Sequence, residues 1–220
     1  MNDPVITIAN PHIPVPEAFI LAFCRKWKIS NFRFYGSILR SDFRPDSDVD
    51  VMVEFDPGAK TSFSDLIAMQ EELESFFSRK VDLADRRSVE QSENYIRRQG
   101  MLSGKPPVLR QMSYLLDMLI CARKIQAITG DHPPGIIETE LTFHAISYNC
   151  RWLAVSASRV DADTRRKYPE IPWDLFPDPG TEGEADPFWP DRQWVEELAW
   201  RITPRVIPAL FAIIPAEDEI

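Results

Sequence analysis

The sequence predicts two classes of structure in one chain: an α+β N-terminal domain with a small mixed sheet and flanking helices, followed by an all-α helical bundle. Val49, Val51, Val53 and Phe55 alternate with other residues as a β-strand does, whereas beyond residue 108 the apolar residues recur at helical spacing. Between these patterns the stretch MLSGKPPV carries glycine and prolines, which break helices. We therefore predict domains at residues 1–100 and 108–220, joined by a linker at 101–107.

In the first domain the pattern predicts the order helix, strand, strand, helix, strand. The opening helix has apolar residues at helical spacing after Pro16, which suits a first turn. The strand with the alternating valines ends at Asp56-Pro57-Gly58. The predicted elements are a helix over 16–29, strands over 32–35 and 49–55, a helix over 63–77 and a strand over 80–83.

The second domain is expected to contain helices alone. Helical spacing predicts helices over 108–128, 136–166 and 194–211, the last bent or interrupted at Pro204 and Pro208. A turn-rich acidic loop, residues 177–191, precedes the last of them. We expect the tryptophans to hold the bundle and its loop together; they are Trp152, Trp173, Trp189, Trp194 and Trp200.

Composition and charge restrict the classes of protein to which this chain can belong. The 220 residues are 44% hydrophobic and 27% charged, which is ordinary for a soluble globular protein. We see no apolar run long enough to cross a bilayer and no secretory signal, and we expect a cytoplasmic protein without a membrane partner. Cys24, Cys121 and Cys150 are too widely spaced for a metal motif and are interpreted as reduced, mostly buried thiols. The net charge of −9 disfavours nucleic acid as a partner.

The strand with alternating valines places carboxylates on its other face. Side chains alternate along a strand, so Asp48 and Asp50 point away from the valines, as do Met52 and Glu54. Two neighbouring carboxylates repel each other unless a cation lies between them. Magnesium suits this position because it takes oxygen ligands and keeps coordination positions for water and substrate phosphates.

Asp82 is the candidate for a third carboxylate. It stands between Val81 and Leu83 on the strand expected beside the first, so its side chain points opposite to those two. Two metal ions held by the three aspartates could clamp the attacking oxygen and the leaving pyrophosphate of an in-line displacement. Without Asp82, a solvated hairpin at Asp46 to Asp50 would be the simpler interpretation.

Gly36-Ser37, at the end of an aromatic run, is interpreted as a phosphate-binding turn. Glycine lets the backbone approach a phosphate closely, and serine supplies a hydroxyl. Ile38 to Arg40 are expected to begin a helix whose free amides attract anions. Gly36 and Ser37 are therefore the predicted cradle for a nucleoside triphosphate.

These residues together resemble a known family. Gly36-Ser37, ten intervening residues, Asp48-Val49-Asp50 and then Asp82 resemble the minimal nucleotidyltransferase (MNT) branch of the DNA polymerase beta-like nucleotidyltransferases. Arg40 and Ser47 also stand where such domains carry nucleotide-binding residues. The resemblance covers about the first 100 residues. It implies transfer of an NMP, AMP by preference, from a nucleoside triphosphate to a hydroxyl, with Asp48, Asp50 and Asp82 as catalytic residues and metal ligands.

The helical half resembles the HEPN toxin that is usually encoded beside an MNT antitoxin. The resemblance rests on the helix Arg110 to Ile128 and on Arg165-Arg-Lys-Tyr-Pro-Glu-Ile-Pro-Trp173. It implies a toxin–antitoxin setting, a homodimer through the helical domain, and a tyrosine acceptor on a HEPN partner or on this chain. In HEPN toxins an arginine followed at four to six residues by a histidine forms the ribonuclease site, and a modified tyrosine follows it.

This chain departs from the HEPN pattern. Residues 174–191 contain no histidine and no tyrosine, and none of the three histidines, His12, His132 and His144, has an arginine at the required spacing. We therefore expect no ribonuclease activity. Tyr148 and Tyr168 are alternative acceptors, but burial or packing is the favoured interpretation of both, and His144 is expected in the core.

Four functions remain open at this level. The leading hypothesis is a magnesium-dependent nucleotidyltransferase resembling protein adenylyltransferases. The runner-up is an aminoglycoside-type transferase, because an acidic helical half suits a cationic acceptor. A third is a non-catalytic, antitoxin-like protein that binds a HEPN or MNT partner, which the missing Arg-to-His motif favours. An active ribonuclease ranks last.

Overall fold

A computed structural model describes residues 3–8, 12–41, 43–103, 110–130, 140–176 and 192–219. The chain divides into two compact units. The first unit comprises Met1–Ser92 and Arg97–Val108, and the second comprises Glu93–Ile96 and Leu109–Ile220. Of the predicted linker at residues 101–107, residues 104–107 lie outside the described residues, and the predicted domain limits stay a prediction.

The first unit is built from a sheet and flanking helices, as the sequence predicts. Its elements are β1 (Val5–Thr7), α1 (Glu17–Trp27), β2 (Ile29–Phe34), β3 (Val49–Phe55), α2 (Phe63–Phe77), β4 (Val81–Asp85), α3 (Arg86–Glu90) and α4 (Tyr95–Ser103), of which the first two residues of α4 belong to the second unit. The bounds of β3 and α2 coincide with the sequence prediction. β1, α3 and α4 were not predicted, because they are three, five and nine residues long and carry too few apolar repeats to show a period.

The sheet is mixed and has the strand order β1-β2-β3-β4. β1 runs parallel to β2, β2 antiparallel to β3, and β3 parallel to β4. Parallel neighbours need a crossover connection, and α2 provides it between β3 and β4. The crossover helix begins at a capping box, in which Ser62 accepts from the Asp65 amide and Asp65 accepts from the Ser62 amide.

Apolar side chains cover both faces of β3. Val49, Val51 and Val53 are fully buried in the main core of the first unit, together with residues of α1, α2 and β2. On the opposite face, Met52 packs in a smaller cluster with Tyr35 and Val89. The predicted alternation along β3 is confirmed, and the small cluster closes one end of the face that carries Asp50.

The second unit is helical in the residues described. Its elements are α5 (Arg110–Thr129), α6 (Glu140–Ser158), α7 (Ala162–Lys167), α8 (Arg192–Glu196), a π-helical segment (Glu197–Ile202) and α9 (Thr203–Ile213). The prediction of one helix up to residue 166 is wrong. The chain leaves the helix after Ser158, and the Asp161 carboxylate accepts a hydrogen bond of 2.7 Å from the Thr164 amide, which starts α7.

The last helical stretch corrects the expectation that the chain has no apolar run long enough to cross a bilayer. By length and composition alone, the segment Arg192–Glu219 is apolar enough to cross a membrane. It nevertheless places Val195, Leu198, Val206 and Leu210 in the core of the second unit, where each is fully buried. Pro204 lies in the first turn of α9, and Pro208 lies inside that helix without ending it. This stretch packs one face against the core of the second unit, whereas Phe211 is 68% exposed.

The motif that suggested HEPN has structural roles in this unit. The Arg165 guanidinium donates to the carbonyls of Ala157 at 2.9 Å and Val160 at 3.0 Å, at the end of α6. It also lies over the Trp173 ring, whose indole donates to the carbonyl of Tyr168 at 2.9 Å. Trp173, Trp194 and Trp200 pack on the core as expected, whereas Trp152 is 43% exposed, and Trp189 lies outside the described residues.

Candidate active site

The two parallel strands β3 and β4 bring Asp50 and Asp82 side by side. Asp50 and Asp82 are register partners, and neighbouring strands lie about 4.8 Å apart. Partners in a ladder point to the same face, so both carboxylates leave the sheet on the side opposite the buried valines. Asp50 is half-buried, and Asp82 is exposed. The sequence analysis predicted this pairing from the position of Asp82 between two apolar residues.

Asp48 lies at the entrance to β3. It is exposed and stands one residue before the strand, where the Val49 amide donates to the Lys80 carbonyl at 2.9 Å. Strand alternation places it on the same face as Asp50. Asp48 is therefore available at the rim of the site rather than within the register pair.

Gly36 and Asp50 are in direct contact. Gly36 has φ of +70°, and a Cβ built on it would lie 2.1 Å from Oδ2 of Asp50. The same Oδ2 accepts a hydrogen bond of 3.2 Å from the Ser37 amide. Only glycine lets the backbone come this close, so the Gly-Ser turn holds the Asp50 carboxylate in place.

The segment after Gly36 differs from the prediction. The expected helix at Ile38 to Arg40 is wrong, because Gly36–Leu39 form one 3₁₀ turn and Arg40 returns to an extended conformation. The Ser37 amide is directed at the Asp50 carboxylate in this structure. The turn therefore contributes to the site by placing Asp50, and the role of Gly36, Ser37 and Arg40 toward a triphosphate stays a prediction.

Ser47 belongs to a turn that Arg79 holds. The Ser47 hydroxyl accepts from the Arg44 amide at 3.0 Å, so it closes its own turn. The Arg79 guanidinium donates to the carbonyls of Arg44 at 3.0 Å and Ser47 at 3.3 Å and lies over the Phe43 ring. Asp48 follows this turn directly. Arg79 therefore positions the chain that leads to Asp48, a role that no pattern in the sequence indicated.

Tyr35 is a second residue that the sequence analysis missed. Its side chain is 7% exposed, and its hydroxyl donates to Oδ2 of Asp82 at 3.5 Å, a long hydrogen bond. Burial raises the pKa of the Tyr35 phenol well above its usual range, and the negative charges of Asp82 and Asp50 raise it further. Tyr35 precedes Gly36 in the sequence, so its place beside the Gly-Ser turn was the available signal.

The oxygen ligands present suit a divalent cation. The field of Asp50 and Asp82 acts on the buried Tyr35 phenol, and a cation between the two carboxylates would relieve their repulsion. Among the residues that the structure describes, no group of three or more His, Cys, Asp or Glu side chains gathers as a metal site. The pair Asp50 and Asp82 therefore fits a metal in ligand type, and the three-aspartate site stays a prediction.

The two candidate acceptor tyrosines and His144 differ in how far they are exposed. Tyr148 was expected to be buried or packed; it is 64% exposed, so burial is wrong, but it packs edge to face on Trp152. Tyr168 is half-buried against the core, as expected. His144 is also wrong as a core residue, because it is half-exposed and lies 3.7 Å from the Glu140 carboxylate. His132 lies outside the described residues.

Part of the chain is similar to known proteins. Residues 17–104 match the family described as "Nucleotidyltransferase domain". A Methanocaldococcus jannaschii protein named "putative protein adenylyltransferase" is 38% identical over 64 residues, which are 29% of this chain and 64% of that protein. The chain thus matches less than two thirds of that relative's length. No solved structure matches the chain.

Proposed function

Given a nucleotidyltransferase domain at residues 17–104, we propose that this chain transfers a nucleoside monophosphate, AMP by preference, from a nucleoside triphosphate to a hydroxyl. One observation carries the proposal. Asp50 and Asp82 are register partners, and Asp50 is held against the Gly36-Ser37 turn. A carboxylate pair can hold metal ions, and a turn that only glycine can make lets the backbone approach a phosphate closely, so the arrangement suits phosphoryl transfer.

The reaction is an in-line displacement at the α-phosphorus. The acceptor oxygen forms a bond to that phosphorus, and the bond to the oxygen bridging the α- and β-phosphates breaks, releasing pyrophosphate. The acceptor's proton passes to the Asp82 carboxylate, which is exposed and therefore accessible to a hydroxyl. Gly36 and Ser37 hold Asp50 and line the approach of the triphosphate.

Asp48, Asp50 and Asp82 are the residues that would hold Mg²⁺. When bound there, such ions would supply positive charge to the phosphates and to the developing negative charge of the reaction. The protein's part is to keep two carboxylates fixed at one register position, with Tyr35 beside Asp82 and the Arg79-held turn before Asp48. We propose Arg40 and Ser47 as further residues near the triphosphate, although the Ser47 hydroxyl closes a turn in this structure.

We further propose that the acceptor is a protein tyrosine in a toxin–antitoxin setting in the cytoplasm. The name of the Methanocaldococcus jannaschii relative supports a protein acceptor. The helical half would then be a HEPN-like bundle without nuclease activity, which presents the acceptor or forms a homodimer. Tyr148 is an accessible tyrosine of this chain, and a tyrosine on a separate HEPN partner is the other source.

The test is incubation of the full chain with Mg²⁺ and each labelled nucleoside triphosphate, followed by measurement of label on protein and of released pyrophosphate. We expect turnover with ATP that is lost in Asp50→Asn and Asp82→Asn, whose circular dichroism should match the wild type. Equal turnover by the wild type and both variants would overturn the proposal. Mass spectrometry of the labelled chain then tests Tyr148.

A binding-only, antitoxin-like function is the second candidate. The absence of a three-ligand group within the described part of the chain favours it. It predicts nucleotide affinity without turnover, and co-purification of a HEPN partner from the native host regardless of nucleotide.

An aminoglycoside-type transferase would instead confer antibiotic resistance on cells that express the chain, which a protein-modifying enzyme should not do.

A further inference from the structure

The outer edge of β4 carries a cavity that the proposed reaction does not yet use. β4 is the last strand of the sheet, and the cavity beside it has a volume of about 290 Å³. Its walls come from α2, β4, α3 and α4, all within the first unit. We call it the β4-edge cavity; the residues that decide its chemistry are Ala84, Asp85, Arg97, Arg98 and Met101.

The polar lining of the β4-edge cavity is net positive. Arg97 and Arg98, on α4, both line it, and the Arg98 guanidinium donates to the Ser92 carbonyl at 2.6 Å. Among the residues that the structure describes, Asp85 is the one carboxylate in the lining, and it is engaged as the N-cap of α3. Its oxygens accept from the Ser88 hydroxyl at 3.1 Å and from the Ser88 amide at 3.3 Å. The described lining therefore holds two arginines and one aspartate, and that aspartate is already hydrogen-bonded.

The cavity also lies close to the proposed general base. Ala84 lines it and stands two residues after Asp82 on the same strand and the same face, roughly 7 Å away at the usual rise of a strand. Arg97 lies near enough to the Tyr35 phenol for its positive charge to act on it, and that phenol contacts Asp82. A group bound in the cavity is therefore one or two residues of extended chain away from a hydroxyl at Asp82.

We propose that the β4-edge cavity binds an acidic side chain of the acceptor, placed one or two residues from the tyrosine that receives the nucleotide. This inference rests on the proposed function and names its substrate class: a peptide segment with glutamate or aspartate beside the acceptor tyrosine. Guanidinium groups pair with carboxylates through charge-assisted hydrogen bonds, which are about twice as strong as neutral ones. Leu66, Leu83, Val89 and Met101 supply apolar surface for the methylene groups and the ring.

The arginines that line the β4-edge cavity also disfavour a cationic acceptor. The net charge of −9 would attract a polyamine or aminoglycoside to the chain as a whole. At the site of reaction, however, such a molecule would meet Arg97 and Arg98. Like charges in a partly enclosed cavity disfavour binding, so the local charge opposes the overall charge.

The experiment measures binding, so it does not depend on turnover. Three fluorescein-labelled peptides share one sequence around a central tyrosine and differ only in its two flanking residues, which are Glu, Gln or Lys. Fluorescence anisotropy with the full chain should give about tenfold tighter binding of the Glu peptide than of the Gln peptide, and the weakest binding for Lys. Arg97→Gln should remove most of the preference for Glu, and Arg97→Lys should restore part of it.

Arg87→Gln is the matched control. It removes the same charge from the neighbouring helix α3, where Arg87 is exposed and does not line the cavity. This variant should bind all three peptides as the wild type does. Thermal unfolding of each variant distinguishes loss of the site from loss of the fold.

Three results would overturn the inference: equal binding of the Glu, Gln and Lys peptides, no binding of the Glu peptide, or a preference that survives Arg97→Gln. A fourth would reassign the cavity: weaker ATP binding in Arg97→Gln with unchanged peptide binding would show that the arginine serves the triphosphate. Failure of the proposed function would appear separately, as absent pyrophosphate release with the peptide preference intact.

Discussion

Gly36 and Asp50 form one unit at the residue scale, although thirteen positions separate them in the sequence. The glycine supplies a positive φ and the absence of a Cβ, and the aspartate occupies the space that a Cβ would need. The two requirements can be separated by experiment because Gly58 also has a positive φ, +83°, but has nothing within 4 Å of a built Cβ.

We predict that Gly36→Ala abolishes nucleotidyl transfer. The added methyl group would lie 2.1 Å from Oδ2 of Asp50 and must displace it. Gly58→Ala should lower the free energy of unfolding by about 1 kcal/mol through backbone strain and leave transfer unchanged. Pyrophosphate release and denaturant unfolding measure the two effects. If Gly36→Ala keeps wild-type turnover, the contact does not position Asp50.

Cys24 gives a prediction about pH. Burial raises the pKa of the Cys24 thiol to about 12, from 9.0 in the unfolded chain. Below pH 9 the thiol is protonated in both states; between pH 9 and 12 only the unfolded state loses the proton. Stability should therefore fall as pH rises through this window, and by less in Cys24→Ala. Urea unfolding at pH 8 and pH 10.5 measures this, and rapid alkylation of native Cys24 at pH 8 would contradict it.

At the scale of elements, Arg79 connects the end of α2 to the turn before β3. Its two hydrogen bonds reach the carbonyls of Arg44 and Ser47, and its guanidinium lies over Phe43. The strand order alone places Asp50 and Asp82, whereas Asp48 depends on this turn. Arg79 is a positioning residue for Asp48, and its substitution should affect binding of substrate more than the chemical step.

We predict that Arg79→Ala raises KM for the nucleoside triphosphate about five- to tenfold and changes kcat less, since each lost hydrogen bond contributes about 1 kcal/mol. Arg79→Lys keeps the charge and one donor group, so its KM should lie between those of the wild type and Arg79→Ala. Steady-state kinetics and thermal unfolding of the three proteins provide the test. A fall in kcat at unchanged KM would assign Arg79 a different role.

The start of α2 offers a prediction for stability alone. Ser62 and Asp65 satisfy each other's amides in a capping box at the exposed end of the helix. Ser62→Ala should lower the free energy of unfolding of the first unit by about 1 kcal/mol. Transfer activity should be unchanged at temperatures well below the midpoint. A change smaller than about 0.3 kcal/mol in urea unfolding would show that the box is not formed in solution.

The sequence predicted the elements that have a strong period and missed those that do not. β3 alternates over seven residues and α2 repeats over fifteen, so pattern alone gave their bounds. The residues Ile38 to Arg40 were expected to begin a helix, but Gly36–Leu39 form a single 3₁₀ turn that ends at the extended Arg40, whose amide donates to the Ser37 carbonyl. The break after Ser158 follows from the Asp161 cap, a local signal that the long apolar pattern outweighed.

The candidate site likewise has residues that a local sequence pattern predicted and residues that it did not. The face shared by Asp50 and Asp82 followed from strand alternation, which is local. Arg79 contacts residues that are distant in sequence and followed from no pattern, whereas the place of Tyr35 directly before Gly36-Ser37 was a local signal. The three-aspartate metal site and the phosphate role of Gly36-Ser37 remain predictions.

At the scale of the whole molecule, each unit has its own core. The buried residues around Val51 and Leu73 and those around Leu115 and Leu153 form separate clusters without a shared member. We predict two calorimetric unfolding transitions. Leu73→Ala should lower one and Leu153→Ala the other, each by about 2–5 kcal/mol of unfolding free energy. A single transition that both variants shift equally would contradict independent cores.

The parallel register of β3 and β4 determines which changes of length the chain can tolerate. Lengthening the loop at Pro57-Gly58, which is exposed, leaves the pairing of Val49 with Val81 untouched. Inserting one residue between Val81 and Asp82 turns the carboxylate to the opposite face, among the buried valines. Relatives that catalyse the same reaction should therefore show insertions and deletions before α2 and none between these two residues. The number of residues between Asp48 and Asp82 can therefore change, whereas the alternation of side chains along each strand must be kept.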